Sequence, residues 1–502
     1  MNMSEKVEVK KTLTLTGVTV NAMALIAPGA FLWLTFQMQA AQVNGQNKTT
    51  AMDMFAGLVL ALILAFLTAV SYSKLSEKYP EAGSGSSYYF AEHAFMNDPS
   101  KLSFFSRVAK DIVGWFSHIY YWVYPGVMVA MMATLITYIL GQFGVMIPVP
   151  MRSLIAVIFA VITGSVAYRG INGSTFSSLI INVIQITTLV FLTILALIYR
   201  IQNPQHVQFI HKTFISIVAP HSFSNVLFQA TISILLLVGF ESATAFAGEA
   251  KSPKSVSKGV ILSLVFQGLI FYLFEYFGTN AWLNTSYKVG GKTGIQAAAV
   301  SDAPIGDMAR ILGDSLLNHS GFMLMIIIAI TVVIAVFGST LACMNTGVRI
   351  TYAMAKDEEM PSVLGVLDPK YATPHVAEVL ITIISALVGA VGTISVTNLS
   401  TITLVSNIGT FVLYGMTNLI SFVAFRKDKK RSIVFHIIVP ILGFLANLSM
   451  LLAVLYLGIL GGGTTKTASV LAVLIAAVWG ILGIIYLLVK SKRKNIPIFI
   501  KA

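Results

Sequence analysis

Charge is scarce in this 502-residue sequence: Asp, Glu, Lys and Arg together make up 11% of it, against roughly 25% in an ordinary soluble domain. That scarcity excludes a soluble fold. With 56% hydrophobic residues and a mean hydropathy of +0.82, there is too little polar surface to cover the chain. Cysteine is nearly absent as well. The single Cys343 excludes an intramolecular disulfide framework. Its place inside an apolar run marks it as a small buried hydrophobe, so no disulfide-linked partner subunit is expected. Met1 to Lys11 lack the apolar core and small-residue cleavage site of a signal peptide, so the first hydrophobic segment is expected to be a retained membrane helix. Enzyme signatures are missing too. The eight histidines show no His-Glu-x-x-His spacing, and Gly83-Ser84-Gly85 and Gly461-Gly462-Gly463 lack the Gly-x-x-x-x-Gly-Lys of a phosphate loop. No enzyme activity, cofactor or metal site is expected.

What the chain has is long apolar runs. A crossing needs about 20 mainly apolar residues, and about twelve can be placed: 14–40, 54–74, 111–140, 151–168, 173–199, 225–249, 257–282, 321–355, 375–394, 400–425, 434–459 and 467–490. The joins between the fourth and fifth and between the ninth and tenth are only a few residues long. The net charge of +13 does not point to nucleic acid, because the basic residues sit between apolar runs. They report orientation instead. With the N-terminus inside, about 25 of the 33 basic residues fall on one side, in keeping with the positive-inside rule. Both termini are then cytoplasmic in a multi-pass protein of the cell membrane, a bacterial inner membrane or a plasma membrane. The polar stretch Asn284 to His319 outside is long enough for surface helices or a lid. Inside, Tyr88, Tyr89, Phe90 and Phe95 among polar residues between Ser76 and Lys110 suggest a helix lying in the interface.

Two runs carry a break in the same relative place: Ala27-Pro28-Gly29-Ala30 in the first and Gly239-Phe240-Glu241-Ser242 in the sixth. Proline removes a backbone donor and glycine relaxes the dihedral restriction. Such a break survives in hydrocarbon only where it is buried in protein or lines a wet cavity. Two breaks five crossings apart fit two five-helix repeats of inverted topology, residues 1–200 and 201–425, followed by two further helices in 426–502. Discontinuous helices meeting at the midplane offer amides and positive dipole ends to a carboxylate, and carbonyls to an ammonium or cation; an α-amino acid carries both groups. The plainer reading makes Pro28 a kink and Gly239 a packing glycine. Glu241 favours the first reading, since a carboxylate near the bilayer centre costs at least a few kcal/mol and is rarely idle. It is expected to change protonation during transport; the plainer alternative has it satisfied by Ser242 or Thr244. Glu275 is a second intramembrane acid, nearer the outer end of its span, with a structural or interfacial role.

At these residues the chain resembles the amino acid–polyamine–organocation superfamily of transporters. Gly239-Phe240-Glu241-Ser242-Ala243, continued by Gly248-Glu249-Ala250-Lys251-Ser252-Pro253-Lys254, is similar to the family's sixth helix and the loop behind it. Tyr79-Pro80-Glu81-Ala82-Gly83-Ser84 with Tyr88 and Tyr89 is similar to its segment after helix two, with extra residues at Gly85 to Ser87. Arg349-Ile350-Thr351-Tyr352-Ala353-Met354-Ala355-Lys356-Asp357, then Met360-Pro361 and Thr373-Pro374, is similar to the end of helix eight and the start of nine. The resemblance implies an all-α five-plus-five inverted-repeat fold with two extra helices, discontinuous helices one and six, and secondary transport of an amino acid by alternating access, as proton-linked symport or exchange. A polyamine or an inorganic cation such as K⁺ is the alternative cargo. The implied substrate contacts are the backbone of Ile26, Ala27, Pro28, Gly29, Ala30 and Phe31 and of Val238, Gly239, Phe240, Glu241 and Ser242. Tyr120, Tyr121, Tyr124, Phe240, Phe337 and Tyr414 are the aromatic candidates. Proton-coupled relatives often carry a lysine in helix five; Gln185 stands at the aligned position and cannot supply that charge, which argues for exchange or for proton coupling through Glu241. Ser339 and Thr340 keep a sodium site open, with small packing residues as the plainer reading. Leu235 stands where the arginine/agmatine type carries an aromatic, which counts against that type.

Overall fold

The computed structural model describes residues 12–26, 30–95, 106–170, 175–204 and 213–494. Backbone polar groups inside a bilayer must be paired within their own segment, which makes helices the default. The described residues are accordingly almost all helical, with one short hairpin.

The first crossing, expected to be interrupted at Ala27 to Ala30, is described as two shorter helices, α1 (Leu15–Ile26) and α2 (Leu32–Ala41). Residues 27–29 lie outside the described residues, so the expected contacts of Ala27, Pro28 and Gly29 cannot be placed. The chain then runs through α3 (Met54–Lys78), α4 (Ser87–Phe95), α5 (Ser106–Gln142), α6 (Val149–Tyr168) and α7 (Thr175–Gln202). A short α8 (Phe214–Val218) leads to the sixth crossing, α9 (Phe223–Ser233), which passes into 3₁₀ segments at Ile234–Leu236 and Phe240–Phe246. The seventh joins α10 (Pro253–Leu264) through a π-helical stretch, Val265–Tyr272, to α11 (Leu273–Trp282). The insertion after α11, expected on the outside, folds as the hairpin β1 (Lys288–Val289) and β2 (Lys292–Thr293) followed by α12 (Gly294–Val300) and α13 (Pro304–Leu316). Then come α14 (Gly321–Lys356), α15 (His375–Gly392), α16 (Val396–Phe425), α17 (Val439–Leu460) and α18 (Gly463–Lys494). Among the described residues, 11 helical stretches are long and apolar enough to cross a membrane, from Ala51–Lys78 to Gly463–Arg493, beside the shorter apolar Leu15–Ile26. The short joins hold: α6 ends at Tyr168 and α15 at Gly392 before the next helix begins.

Local signals explain several starts. Ser252 accepts a hydrogen bond from the Ser255 amide and Pro253 follows it in the first turn of α10, an N-cap with proline where no donor is needed. Ser395 caps α16 through the Asn398 amide. The segment before α1 is tied to the far end of the sixth crossing: the Leu13 amide donates to the Glu249 carbonyl at 2.9 Å and the Lys251 amide to the Leu13 carbonyl at 2.9 Å.

The aromatic helix α4 does not lie as an interfacial helix. Tyr88 and Phe90 are 1% and 2% exposed, packed inside the bundle. The Tyr88 hydroxyl donates to Asp357 at 3.0 Å, and Lys110 sits between Glu92 at 2.7 Å and Asp357 at 2.9 Å. Burial of the apolar ring faces outweighs what the interface would offer them. Lys110 is buried while its partners are about one-third exposed. Lys110→Met therefore costs less than a fully buried pair, about 1–2 kcal/mol, read as a lower melting temperature of the detergent-purified protein. Lys490 pairs with Glu359 and Lys78 with Asp428 at this same end of the bundle. The Lys430 backbone amide, first, and then Lys78 hold the Asp428 carboxyl below the usual range.

Candidate functional site

An α-helix leaves its last four carbonyls without an internal partner. The end of α1 is buried, so each unpaired carbonyl there is costly. Side chains from neighbouring helices supply the donors. Gln267 donates to the Met23 carbonyl at 2.8 Å, Ser339 to Ala24 at 2.7 Å and the Tyr272 hydroxyl to Ile26 at 3.4 Å. One turn earlier, Asn182 donates to Val20 at 3.0 Å. Three crossings, the fifth, seventh and eighth, thus hold the end of α1 by its own backbone.

The sixth crossing loses its α-helical ladder after Ser233. Gly239 has φ +127, a conformation for glycine alone. A Cβ there would stand 3.0 Å from Ile26 Cγ1 and Leu25 Cδ2 and 3.1 Å from the Ile26 amide nitrogen. The two interrupted segments therefore meet at Gly239, with no room for a side chain. Freed carbonyls on this side are covered too: Asn407 donates to Thr231 at 2.7 Å, Tyr124 to Leu235 at 3.2 Å, and Ser242 to Gly239 at 2.6 Å. Farther out, Gln39 of α2 and Gln229 of α9 are joined by Gln39 Nε2 to Gln229 Oε1 at 2.9 Å and Gln229 Nε2 to the Gln39 carbonyl at 3.0 Å.

Glu241 is 1% exposed, and its carboxylate is filled with donors. Oε1 accepts from the hydroxyls of Tyr120 at 3.0 Å and Tyr121 at 3.3 Å; Oε2 accepts from Tyr414 at 2.7 Å and from the Gly239 amide at 3.0 Å. Ser242 and Thr244 bond backbone carbonyls, not this carboxylate. Phe240 closes the cage, its ring 6.1 Å from Tyr72 and 5.3 Å from Tyr414. Burying a charge is tolerated only when it is this well solvated by protein.

Beside the cage lies a cavity of about 340 Å³, at the lower end of the range for small-molecule pockets. It runs from Thr12, Glu249 and Arg349 inward to Asn21, Asn345, Ala24, Leu25 and Ser242. Its walls come from α1, α7, the 3₁₀ turn after Gly239, and α14. At the mouth Arg349 stands 3.8 Å from Glu249 and 5.9 Å from the Phe246 ring.

The structure gathers most of the residues nominated from sequence. Ile26, Val238, Gly239, Phe240, Glu241, Tyr120, Tyr121, Tyr124 and Tyr414 are buried around the meeting point. Ala30 and Phe31 are buried, with Phe31 stacked on Tyr124 at 5.7 Å. Ser242 reaches the cavity. Phe337 is not brought to this group; it packs on Phe159 of α6 at 6.2 Å. Gln185 is buried on α7. Of the two hydroxyl candidates, Ser339 touches α1, whereas Thr340 bonds the Val336 carbonyl of its own helix at 2.7 Å. Sequence reasoning missed Asn182, Gln267 and Tyr272, whose only sign was a polar residue in an otherwise apolar span. No cluster of metal-ligating side chains occurs among the described residues.

The insertion after α11 is held against α2 and α5. Asp307 of α13 accepts from Tyr138 at 2.9 Å, Tyr287 at 2.7 Å and Ser301 at 2.5 Å. Gly306 beside it lies where a Cβ would meet Trp33 of α2 and Tyr138 of α5. Burial pushes the Asp307 carboxyl above its ordinary value, against the pull of its hydrogen bonds. An acid shifted upward contributes most below its unfolded value, and that contribution fades as pH rises from the ordinary aspartate range to the folded value. Thermal scans should show this fade in the wild type and a flatter profile in Asp307→Asn.

A multi-pass helical bundle in which the end of α1 meets the glycine turn of the sixth crossing beside a partly polar cavity is built as a solute carrier. Residues 18–496 match the amino acid permease family, and the chain belongs to that family of membrane transporters. It is 23% identical to the low-affinity putrescine importer PlaP of Escherichia coli (strain K12), over 98% of this chain and 97% of that protein. It is 22% identical to the branched-chain amino acid permease BcaP of Bacillus subtilis (strain 168), over 89% and 87%. A shorter stretch, 32% of this chain, is 28% identical to part of the glutamate/serine transporter AimA of the same organism.

Proposed function

We propose that this protein is a secondary transporter of small amino acids that works by alternating access. Residues 1–200 and 201–425 form its two inverted repeats, 426–502 adds two peripheral helices, and both termini lie in the cytoplasm. The observation that carries this reading is the contact at Gly239, where two interrupted helices meet beside the 340 Å³ cavity. The amides of Val238, Gly239 and Ser242 are bonded within the protein, so the remaining amides of the broken segments, those between Ala27 and Phe31 and that of Phe240, hold the substrate carboxylate, and carbonyls and hydroxyls near Ser242 hold the ammonium. The cavity opens toward Thr12, Glu249 and Arg349, on the cytoplasmic side if the positive-inside rule orients the chain, so the conformation is the inward-facing one. Gln185 brings no charge to helix five. A sodium ion would compete with Ser339 for the Ala24 carbonyl.

An amino acid is favoured over a diamine by the acids near the cavity. Glu241 has all its lone-pair directions used by tyrosine hydroxyls and the Gly239 amide, and Glu249 already faces Arg349. A second ammonium group would find no unused carboxylate here. Ala24, Leu25, Ile181, Ala335 and Leu341 instead offer apolar wall to an aliphatic side chain. The full-length likeness to a putrescine importer keeps the diamine as the competing outcome. Proteoliposomes holding the purified protein should take up or exchange labelled L-isoleucine or L-serine, with little competition from putrescine. Uptake of putrescine alone would replace the amino acid with a diamine. A panel of L-isoleucine, L-serine, L-glutamate and putrescine with no uptake, exchange or binding would sink the transport reading.

A further inference from the structure

The molecule buries three glutamates in its membrane-spanning helices, Glu241, Glu275 and, in the first turn of α15, Glu378; the first two have opposite surroundings. Glu241 has four donors on its carboxylate. Glu275 of α11, also 1% exposed, has none: both its oxygens lack a hydrogen-bond partner among the described residues. An ionised carboxylate without donors in an apolar setting costs far more than the neutral acid does. Two acids set apart in this way divide the tasks of standing charge and proton carriage.

The position of Glu275 bears on the transport cycle. It lies three residues after Tyr272, whose hydroxyl donates to the Ile26 carbonyl at the break, and positions three apart share a helix face. The π-helical stretch Val265–Tyr272 ends just before it, a distortion that concentrates at functional sites. The next residue, Tyr276, sets its ring 6.3 Å from Phe36 of α2, the outer half of the interrupted crossing. Other polar atoms on these two helices are equally unpartnered: Trp33 Nε1 and Thr35 Oγ1 on α2, and the Tyr276 hydroxyl and Thr279 Oγ1 on α11. Native interiors leave few such groups, and a row of them calls for a reason.

No charge nearby offsets Glu275. The elements packed against α11 carry Tyr199 and Arg200 on α7, Asp307, Arg310 and Asp314 on α13, and Asp53 at the head of α3, with Tyr72, Lys74, Glu77 and Lys78 toward its other end. Tyr272 and Tyr276 lie on the span itself. None of these pairs with Glu275; Arg200, for example, donates to the Ala281 carbonyl at 2.9 Å.

We infer that Glu275 carries the proton that accompanies solute transport, and that the unpartnered polar groups of α11 and α2 mark its route to the outer solution. In the present conformation the side chain holds the proton as a neutral acid between packed helices. When α2 parts from α11, water reaches the carboxyl and it is loaded with a proton from the outer side; after the helices close again, the carboxyl gives that proton up to the inner solution as the solute leaves by the cavity between α1 and α14. This rests on the transport reading and adds the coupling ion and its residue.

The test uses full-length protein in proteoliposomes with a pH-sensitive dye inside, and L-isoleucine, L-serine, L-glutamate or putrescine added outside. The wild type should acidify the lumen as the solute enters. Glu275→Gln should lose that acidification while still exchanging labelled solute across the membrane, and Glu275→Asp should restore part of it. Acidification by Glu275→Gln equal to the wild type overturns the inference while leaving transport intact. An infrared arm needs no solute. The wild type should show a protonated-carboxyl band that Glu275→Gln lacks and Glu241→Gln keeps. If no such band depends on Glu275, the inference fails whatever the protein carries. If no solute in the panel moves, the transport reading fails instead, and the proton-carrying role falls with it.

Discussion

Gly239→Val should abolish solute uptake while Gly248→Ala leaves it unchanged. Gly239 holds φ +127, a region that costs a residue with a side chain about 1–3 kcal/mol. Its added Cβ would sit 3.0 Å from Ile26 and Leu25 and 3.1 Å from backbone. Ile26 cannot easily retreat, since its own carbonyl is bonded to Tyr272. Overpacking of this kind costs a further 1–3 kcal/mol or so. The strain falls where the two interrupted segments touch, so the loss should exceed what stability alone explains: protein that still purifies as a monodisperse species should no longer bind or exchange solute. Gly248 is the control because nothing lies within 4 Å of a Cβ there. Uptake by Gly239→Val close to that of the wild type would mean that this contact is not needed.

Glu241→Ala should destabilise the bundle more than Lys110→Met does, whereas Glu241→Gln should be tolerated. Alanine leaves three tyrosine hydroxyls and the Gly239 amide aimed at empty space. Each buried donor left alone costs about 1–3 kcal/mol. Tyrosine hydroxyls rotate and recover part of that, but the amide cannot, so a net loss of about 3 kcal/mol or more is expected. Glutamine can set its oxygen toward Gly239 and Tyr414 and its NH₂ toward the oxygens of Tyr120 and Tyr121. The readout is the melting temperature of each variant, with solute exchange beside it. Equal stability of the alanine and glutamine variants would show that the cage contributes little.

The sequence exposed this centre only where it broke a rule. Gly239 and Glu241 stand out because glycine and an acid in mid-span need a reason, and the structure puts both at the meeting point. Tyr120, Tyr121 and Tyr414 were nominated as covers for a ligand; their hydroxyls instead face Glu241, since donors must go where a buried charge is. The caps from Asn182, Gln267 and Tyr272 were not legible, because a side chain bonded to another helix's backbone leaves no periodic trace. Phe337 was misplaced for a related reason. In a 36-residue apolar helix such as α14, large apolar side chains occur on the protein-facing side and the exposed side alike, so an aromatic alone does not tell which way it faces. The helix α4 was expected at the interface because its aromatics lie among polar residues. One of those polar residues, Glu92, pairs with Lys110 from the next helix, a contact no local pattern announces.

The most direct measurement is an electron cryomicroscopy map of the wild type saturated with whichever of L-isoleucine or L-serine it exchanges. Solute density is expected between the end of α1 and residues 238–242, with its carboxylate against backbone amides. Density bound elsewhere, with an unbroken helix through residues 26–32 or 234–246, would contradict a site built from two interrupted crossings.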